Sequence, residues 1–408
     1  MIEETFICRS CNGGRSQVLL DMGLQPLANA FVRNPDDDAD QFRAPLTLVM
    51  CENCRLIQLR QQVDRERLFR HYLWVTGTSD AAARHAAWFS RRLADRYLSA
   101  DDDFLVEIAS NDGFFLQHFR EAGFRVRGVD PSDVGAGANA RGLPTIQDFF
   151  GSDVALRIVA EEGKAKVVVA RNVIGHSSEL RDLIDGVSRV LAPRGRFVIE
   201  HPYAYLLRAE VQYDTIFHEH VSYPTLQSVA NLIGQFAMKI VDVSFVGMNG
   251  GSMLIEAAHQ SDPAPEAGLE TRRFENFVRL NEPDGWEGFR AAVSAQRVAL
   301  IDLLRRLADE GRSVGGYGAA AKCMTMLNYC GIDTRLVKAF ADANPKKQGL
   351  LCPGVRIPVV SPDELLAMNP DYIVIGAWNL KEEIIRQLRE KKGYRGRFIV
   401  PLPSPSVV

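Results

Sequence analysis

Four short apolar runs in the middle of the chain, each followed by a segment able to form a helix or turn, constrain the fold more than anything else in the sequence. The first, Phe104-Leu-Val-Glu-Ile108, runs through Ala109-Ser-Asn111-Asp-Gly113 into a helical stretch over 115–122. The second, Phe124-Arg-Val-Arg-Gly-Val129, stops at Asp130-Pro131. The third ends at Ile146-Gln-Asp148-Phe149-Phe150, and the fourth, Lys166-Val-Val-Val-Ala170, continues into Arg171-Asn172-Val-Ile-Gly-His176. Apolar runs without polar alternation read as strands buried on both faces, and strands alternating with helices make a parallel, doubly wound α/β sheet. Ligands of such sheets bind outside the carboxyl ends of the strands, so the residues ending these runs fall along one edge.

The chemistry at that edge points to a nucleoside. Asp130 ends the second strand about 20 residues beyond the first turn, where an acid can accept both ribose hydroxyls. The first turn lacks G-x-G-x-x-G, whose glycines let the backbone close on a pyrophosphate. It keeps an acid within the strand, a tight turn and one glycine. That arrangement suits S-adenosylmethionine, which carries no pyrophosphate. The residues expected around this cofactor are Glu107, Ala109, Asn111 and Gly113, then Asp130 and Pro131, then Asp148 and Phe149, and finally Asn172.

Two C-x-x-C pairs, Cys8/Cys11 and Cys51/Cys54, stand near the start. Each pair can chelate through two thiolates, and four thiolates suit a tetrahedral, structural zinc with no open position. Unligated thiols are the alternative. Between the pairs lie strand-like pieces over 18–20 and 46–49, the segment Gln25-Pro-Leu-Ala-Asn-Ala-Phe31, and an acidic run over 36–40 that reads as a solvated turn. Beyond them, Tyr72 and Trp74 precede a long helix over 81–98 and are candidates to line a pocket.

Downstream of the strand-like segment 195–202 comes Tyr213-Asp-Thr-Ile-Phe-His218-Glu219-His220-Val-Ser-Tyr223. Consecutive residues alternate faces on a strand and lie about 100° apart on a helix, so His218, Glu219 and His220 cannot all address one point. The segment is either catalytic or a polar loop with a core or metal-binding histidine. A hairpin follows, with its turn at Asn249-Gly250, then a charged helical stretch over 267–309. A second glycine-rich strand-to-helix turn, Gly315-Gly-Tyr317-Gly318-Ala319-Ala-Ala-Lys322, opens another doubly wound unit that continues through Asn344-Pro-Lys-Lys347 and a strand at 372–375. A helix N-terminus with glycines and lysines can hold a diphosphate. The candidate contacts are Tyr317, Gly318, Ala319, Lys322, Asn344 and Lys347; a domain without a ligand is the alternative.

Seven cysteines, four of them in close pairs, argue for reduced thiols and metal rather than a disulfide framework. The acidic start has no leader-like character, and no apolar run approaches a membrane span. A formal net charge of −3 gives no general attraction to nucleic acid or anionic lipid. The expectation is a cytoplasmic protein with three units, 1–70, 71–265 and 266–408, that engages neither nucleic acid nor membrane. A monomer is compatible with all of this, and the oligomeric state is open.

Taken together, the paired C-x-x-C with Q-P-L-A-N between them, V-E-I-A-S-N-D-G, A-x-N-V-x-x-H, H-E-H, G-Y-G-A-A-A-K, L-N-Y-C-G-I and N-P-x-K-Q-G resemble the sugar C-methyltransferases that act on nucleotide-linked 4-keto-deoxyhexoses. The resemblance spans essentially the whole chain. It implies an N-terminal zinc domain, a central class I methyltransferase domain binding S-adenosylmethionine, and a C-terminal nucleotide-sugar domain. It also implies that His220 is the base that removes the carbon-3 proton, with Glu219 and His176 as companions, and Cys8, Cys11, Cys51 and Cys54 as zinc ligands. Phe217 stands where members carry a tyrosine, and Trp74 accompanies Tyr72 in a segment often richer in tyrosine. Tyr223, Tyr213 and Tyr72 are the phenols that could take over the missing hydroxyl's work. The runner-up readings are the same fold with altered chemistry, such as epimerisation or an unusual sugar, and a zinc-ribbon nucleic-acid methyltransferase.

Overall fold

The computed structural model describes residues 6–33, 42–69, 80–100 and 102–408. The acidic run at 36–40 and the Tyr72–Trp74 segment lie outside these residues. Three sheets follow one another along the chain. Ser16–Pro26 (β1), Arg43–Cys51 (β2) and Ile57–Leu59 (β3) form an antiparallel N-terminal sheet. The central strands are Phe104–Ile108 (β4), Arg125–Val129 (β5), Thr145–Ile146 (β6), Ala165–Arg171 (β7) and Leu191–Pro202 (β8). After them come Ser222–Tyr223 (β9), Met238–Val246 (β10) and Ser252–His259 (β11).

The central sheet has seven strands in the order β10-β11-β8-β7-β4-β5-β6. All its pairings are parallel except those of β11, which runs against both β8 and β10. This is the class I methyltransferase arrangement. Its middle strands read as expected for strands covered on both faces: all five residues of Phe104–Ile108 are buried. The β10–β11 ladder closes at Val246↔Ser252, so the connection is five residues long. Asn249 and Gly250 sit inside it with φ of 56° and 86°.

β9 departs from this sheet. It lies in the segment between β8 and the helix Leu226–Gly234, and it pairs with β3 (Ile57↔Tyr223, Gln58↔Ser222) as the fourth strand of the N-terminal sheet. The loop that ends in His220 is therefore tied to the first unit by main-chain pairing.

The C-terminal unit contains Val314–Tyr317 (β12), Phe340–Ala341 (β13), Val359–Val360 (β14), Tyr372–Ile375 (β15), Arg397–Val400 (β16) and Ser406–Val407 (β17). Their order is β14-β13-β12-β15-β16-β17, parallel except at β16–β17. The chain first builds outward from β12 on one side and then returns to β15 on the other. The crevice outside the carboxyl ends of β12 and β15 is thus a topological switch point. The charged stretch leading here is two helices, Leu269–Phe277 and Glu287–Asp309, and not one. Pro283 opens the turn between them, and a Cβ on Gly285 would lie 2.0 Å from the Arg279 carbonyl oxygen. The longer helix buries Phe289, Val293, Gln296, Leu300, Leu304 and Leu307, one stripe at helical spacing. Among the described residues no helix is long and apolar enough to cross a membrane.

Candidate active site and metal centre

The four paired cysteines converge: their sulfurs all lie within 4.8 Å of one another, with Cys8–Cys54 at 3.4 Å and Cys11–Cys51 at 3.6 Å. Sulfurs around one tetrahedral zinc stand roughly 3.8 Å apart, given Zn–S bonds of about 2.3 Å. The donor set fits zinc in chemistry and in spacing. Both pairs are built the same way. The residue after the second cysteine, Asn12 or Arg55, is left-handed (φ 57° and 64°), and its N–H returns to the carbonyl of the first cysteine. Gln58 donates its Nε2 to Cys8 Sγ at 3.1 Å, and Gln58 is also the β3 residue that faces Ser222 of β9.

A cavity of about 350 Å³ opens at the carboxyl edge of the central sheet, a size suited to a nucleoside-bearing ligand. Ala109, Asn111, Asp130, Pro131, Asp148, Phe149 and Asn172 line it, and so does His176. Three of its non-glycine residues, Ala109, Asn111 and Asn172, have φ of 53°, 51° and 56°. Such backbone strain gathers where ligands are gripped. Asp130 is fixed from two loops: Asn111 N–H, in the turn after β4, donates to one oxygen at 2.8 Å and Ser132 N–H, in its own loop, to the other at 3.0 Å. Phe149 carries the Arg65 guanidinium over its ring at 4.3 Å. The cavity, its acid and its aromatic wall fit S-adenosylmethionine.

Glu107 and Gly113 do not line this cavity. Glu107 is buried in β4 and accepts from Arg171 Nη2 at 2.9 Å. Burial, opposed by Arg171, pushes its carboxyl up to about 7. Its route to the cavity runs through Arg171, which lines it. Gly113 has φ of 74°, and a Cβ there would stand 2.6 Å from Leu143. Its requirement is the turn itself.

The three residues of H-E-H point in different directions. His218 bonds the carbonyls of Ala44 and Pro45 through Nε2, at 3.3 Å each. Glu219 accepts from Asn29 Nδ2 at 2.9 Å, and Asn29 belongs to the Q-P-L-A-N segment. Both side chains are buried against the N-terminal unit, and burial raises the Glu219 carboxyl. His220 turns the other way. Its Nδ1 lies 2.8 Å from the Thr215 carbonyl oxygen. A carbonyl only accepts, so Nδ1 carries the proton and Nε2 presents a lone pair. The His176 ring stands edge-on to it, with centroids 4.7 Å apart, and the Phe217 ring lies 3.9 Å away, tilted by 32°. Burial first, then the His176 imidazole, holds His220 well below the usual histidine range. Burial likewise lowers His176 to about 4, against a hydrogen bond to the Glu219 backbone.

His201, at the end of β8, completes a cluster of three imidazoles and was not singled out from sequence. It is 6% exposed, and burial lowers it to about 3, helped by His176. Its ring occupies the space that Gly175 leaves, since a Cβ on Gly175 would lie 2.3 Å from His201 Cε1. Of the three phenols named above, Tyr213 is fully buried and donates to Gln296 at 2.7 Å, and Tyr223 donates to the Thr215 carbonyl at 3.4 Å. Tyr72 lies outside the described residues.

In the C-terminal crevice, Gly318 has φ of 87° and a Cβ there would meet Ala377 at 3.0 Å, which fits a close crossing of the two turns. Tyr317 is partly buried beside them and Ala319 fully buried. Lys322 donates to Asn379 Oδ1 at 2.7 Å and lies 4.8 Å above the Trp378 ring; burial lowers its ammonium, against the pull of Asp214. Lys347 is engaged by the Ala319 carbonyl at 2.8 Å and by Asp342 at 3.6 Å. Asn344 caps the Asp342 turn through its N–H, at 2.8 Å. Lys347 thus braces the turn from beneath, while Lys322 faces the H-E-H loop.

Comparison with known proteins agrees with this layout. Family models match in three consecutive stretches: a zinc binding domain over residues 8–69, a methyltransferase domain over 79–243, and a C-methyltransferase C-terminal domain over 247–403. The C-methyltransferase NovU of Streptomyces niveus is 35% identical over 407 residues, covering 98% of this chain and 96% of that one. Solved structures overlap the chain only in part. The glycopeptide N-methyltransferase MtfA complexed with sinefungin is 15% identical and covers 43% of this chain and 86% of its own, at a TM-score of 0.33. The magnesium protoporphyrin IX methyltransferase ChlM of Synechocystis PCC 6803 with bound SAM is 14% identical and covers 48% and 90%, at 0.34. Overlaps this shallow say nothing of what this chain acts on.

Proposed function

This chain belongs to the C-methyltransferase family, and from that premise we propose that it methylates carbon 3 of a nucleotide-linked 4-keto-6-deoxyhexose. The observation that carries the reading is the setting of His220. Its unprotonated Nε2 is presented beside His176, a residue that also lines the nucleoside-sized cavity. The Lys322 ammonium is close enough to act on its titration from the C-terminal side.

S-adenosylmethionine, when bound, supplies an electrophilic methyl group and leaves as a neutral thioether, which asks no acid of the protein. The protein's task is to make carbon 3 of the sugar nucleophilic. The ketone at carbon 4 acidifies the neighbouring C–H, and a neutral imidazole is suited to take that proton near pH 7. His220 Nε2 takes it, while Nδ1–H stays anchored to the Thr215 carbonyl and keeps the ring from turning. The enolate oxygen needs a donor in a water-poor setting. Tyr213 and Tyr223 spend their hydroxyls elsewhere, and neutral His176 gives its one N–H to the Glu219 backbone, so none of these three supplies it and His176 serves to hold the His220 ring in place. Glu219 itself works at one remove, by docking the loop on Asn29. The nucleotide is assigned to the C-terminal crevice, with the Gly318 turn beneath it and Lys322 as its cation. The three units, 1–70, 71–265 and 266–408, then divide the work into metal support, methyl donor and sugar.

The test is hydrogen exchange at carbon 3 in D₂O. With His220→Asn, exchange should fall by roughly 10²–10⁴-fold while S-adenosylmethionine and nucleoside diphosphates still bind. Exchange at the wild-type rate would remove His220 from the role of base. Mass analysis of products from thymidine- and guanosine-diphosphate 4-keto-6-deoxyhexoses identifies the nucleotide and shows whether a methyl is gained.

A further inference from the structure

An unbroken series of contacts runs from the C-terminal crevice to the ring of His220. Lys322 donates to Asn379 Oδ1 at 2.7 Å and stands 4.8 Å over the Trp378 indole. Trp378 Nε1 donates to Asp214 Oδ2 at 2.7 Å. Asp214 is the middle residue of the single 3-10 turn Tyr213–Thr215. The carbonyl of Thr215, next in the chain, accepts the Nδ1–H of His220 at 2.8 Å.

Each contact has little freedom. Asp214 is 0% exposed, and its Oδ2 is held by the Trp378 indole N–H. The indole is confined on its far side, where a Cβ on Gly250 would lie 3.0 Å from Trp378 Cη2 and 3.1 Å from Gln212 Nε2. The other end of the turn is pinned as well, by Tyr213 donating to Gln296 of the helix Glu287–Asp309 at 2.7 Å. Both anchors of the turn belong to the C-terminal half of the chain. A carboxylate in a dry interior is costly to bury. An apolar side chain would serve packing alone at less expense, so a carboxylate at this position points to another role.

We propose that Asp214 and Trp378 are positioning residues for His220, through which the C-terminal domain holds the imidazole in its Nδ1–H tautomer and leaves Nε2 to act. The inference rests on His220 being the base. It assigns the C-terminal domain a part in the chemical step in addition to holding substrate. Loss of the indole N–H frees Asp214, lets the Tyr213–Thr215 turn relax and moves the Thr215 carbonyl off the imidazole. The Nε2–H tautomer, which cannot accept a proton at the working nitrogen, then becomes populated.

The experiment reads the tautomer directly. Protein carrying ¹⁵N-labelled histidine is examined by NMR without ligands, with the His220 signals identified by their loss in His220→Asn. Trp378→Phe keeps a ring beneath Lys322 and removes only the N–H. It should shift the His220 tautomer ratio and slow carbon-3 exchange, each by about tenfold, the scale for loss of a hydrogen bond to a charged group. KM for the nucleotide sugar should change by less than about threefold, since the lost interaction acts on the base and not on substrate binding. Asp214→Leu, which leaves the indole in place, should give the same shift. Asp214→Asn retains an acceptor for the indole and should restore most of the exchange rate. An unchanged tautomer ratio in folded Trp378→Phe and Asp214→Leu overturns the proposal, and so does slowed exchange with no tautomer change. Undiminished exchange in His220→Asn would sink the assignment of the base, a separate failure, because the tautomer measurement needs no catalysis.

Discussion

The cysteine centre and the histidine cluster each crowd several metal-capable side chains into a small buried volume, and they are built on opposite plans. The cysteines come as two local pairs, each closed by its own left-handed residue, and all four sulfurs reach one point. The three histidines come from three separate strand ends and loops. Among the described residues only the cysteines gather their donor atoms closely enough to share an ion. One site supplies its thiolates to a metal. The other buries its imidazoles, and burial disfavours their charged form. Proximity of good ligands therefore does not define a metal centre; convergence of their donor atoms does.

The largest effect that could break this comparison is loss of the metal. Structural zinc contributes an apparent 10–16 kcal/mol in small domains near pH 7, roughly the whole stability of a domain. Chelation, or Cys8→Ser, should melt the N-terminal sheet, as read by circular dichroism. Because β9 belongs to that sheet, carbon-3 exchange should vanish together with it. Exchange that survives chelation would mean that the two centres are independent.

A smaller effect separates them by pH. A histidine whose folded pKa is below its unfolded value of about 6.5 binds fewer protons when folded, so stability is fully present above pH 6.5 and declines as pH falls toward the folded pKa. For His201 that window runs from 6.5 down to about 3. Burial of Glu107 and Asp214 acts in the opposite sense, since their folded values rise from 4.5 to about 7 and from 3.8 to about 6, and each costs stability as pH rises through its own window. The wild-type curve sums both. His201→Asn removes one imidazole, so below pH 6.5 the variant should gain on wild type by about 1.4 kcal/mol per pH unit in denaturant titrations. A constant difference between the two proteins would mean that His201 is already charged in the fold.

The smallest effect is steric. Gly175→Ala places a methyl against His201, and overpacking of this kind costs about 1–3 kcal/mol. The loss should appear in thermal melts, accompanied by displaced His176 and His201 ring signals, while the cysteine centre is untouched.

The plan of each centre also decides how much of it could be read from sequence. The C-x-x-C pairs carry their geometry in local spacing, and the central strands carry theirs in unbroken apolar runs, so the α/β class and the zinc domain followed directly. Asp130, Asn111 and Asn172 were legible as the ends of such runs. His201 was not: its role depends on Gly175, 26 positions earlier, vacating the volume of one methyl group. Asp214 lay within the H-E-H segment, yet it reads as an ordinary turn residue until Trp378 arrives from the other end of the chain. Glu107 was placed at the cavity as the acid kept within the first strand, before a tight turn and one glycine. In the fold it is screened by Arg171, a partner that periodicity cannot supply. The single helical stretch expected over 267–309 overlooked Pro283, which opens the 3-10 turn leading into the second helix.

The pairing of β3 with β9 has a consequence for how the protein is made. The first sheet waits for its last strand until Tyr223 has left the ribosome. At about 5–20 residues per second that leaves roughly ten to thirty seconds in which Ile57–Leu59 presents an unpaired edge. During that interval the nascent chain is most exposed to mispairing with its neighbours on the same messenger. Slowing translation between those two strands should lower the yield of active enzyme more than slowing it anywhere downstream.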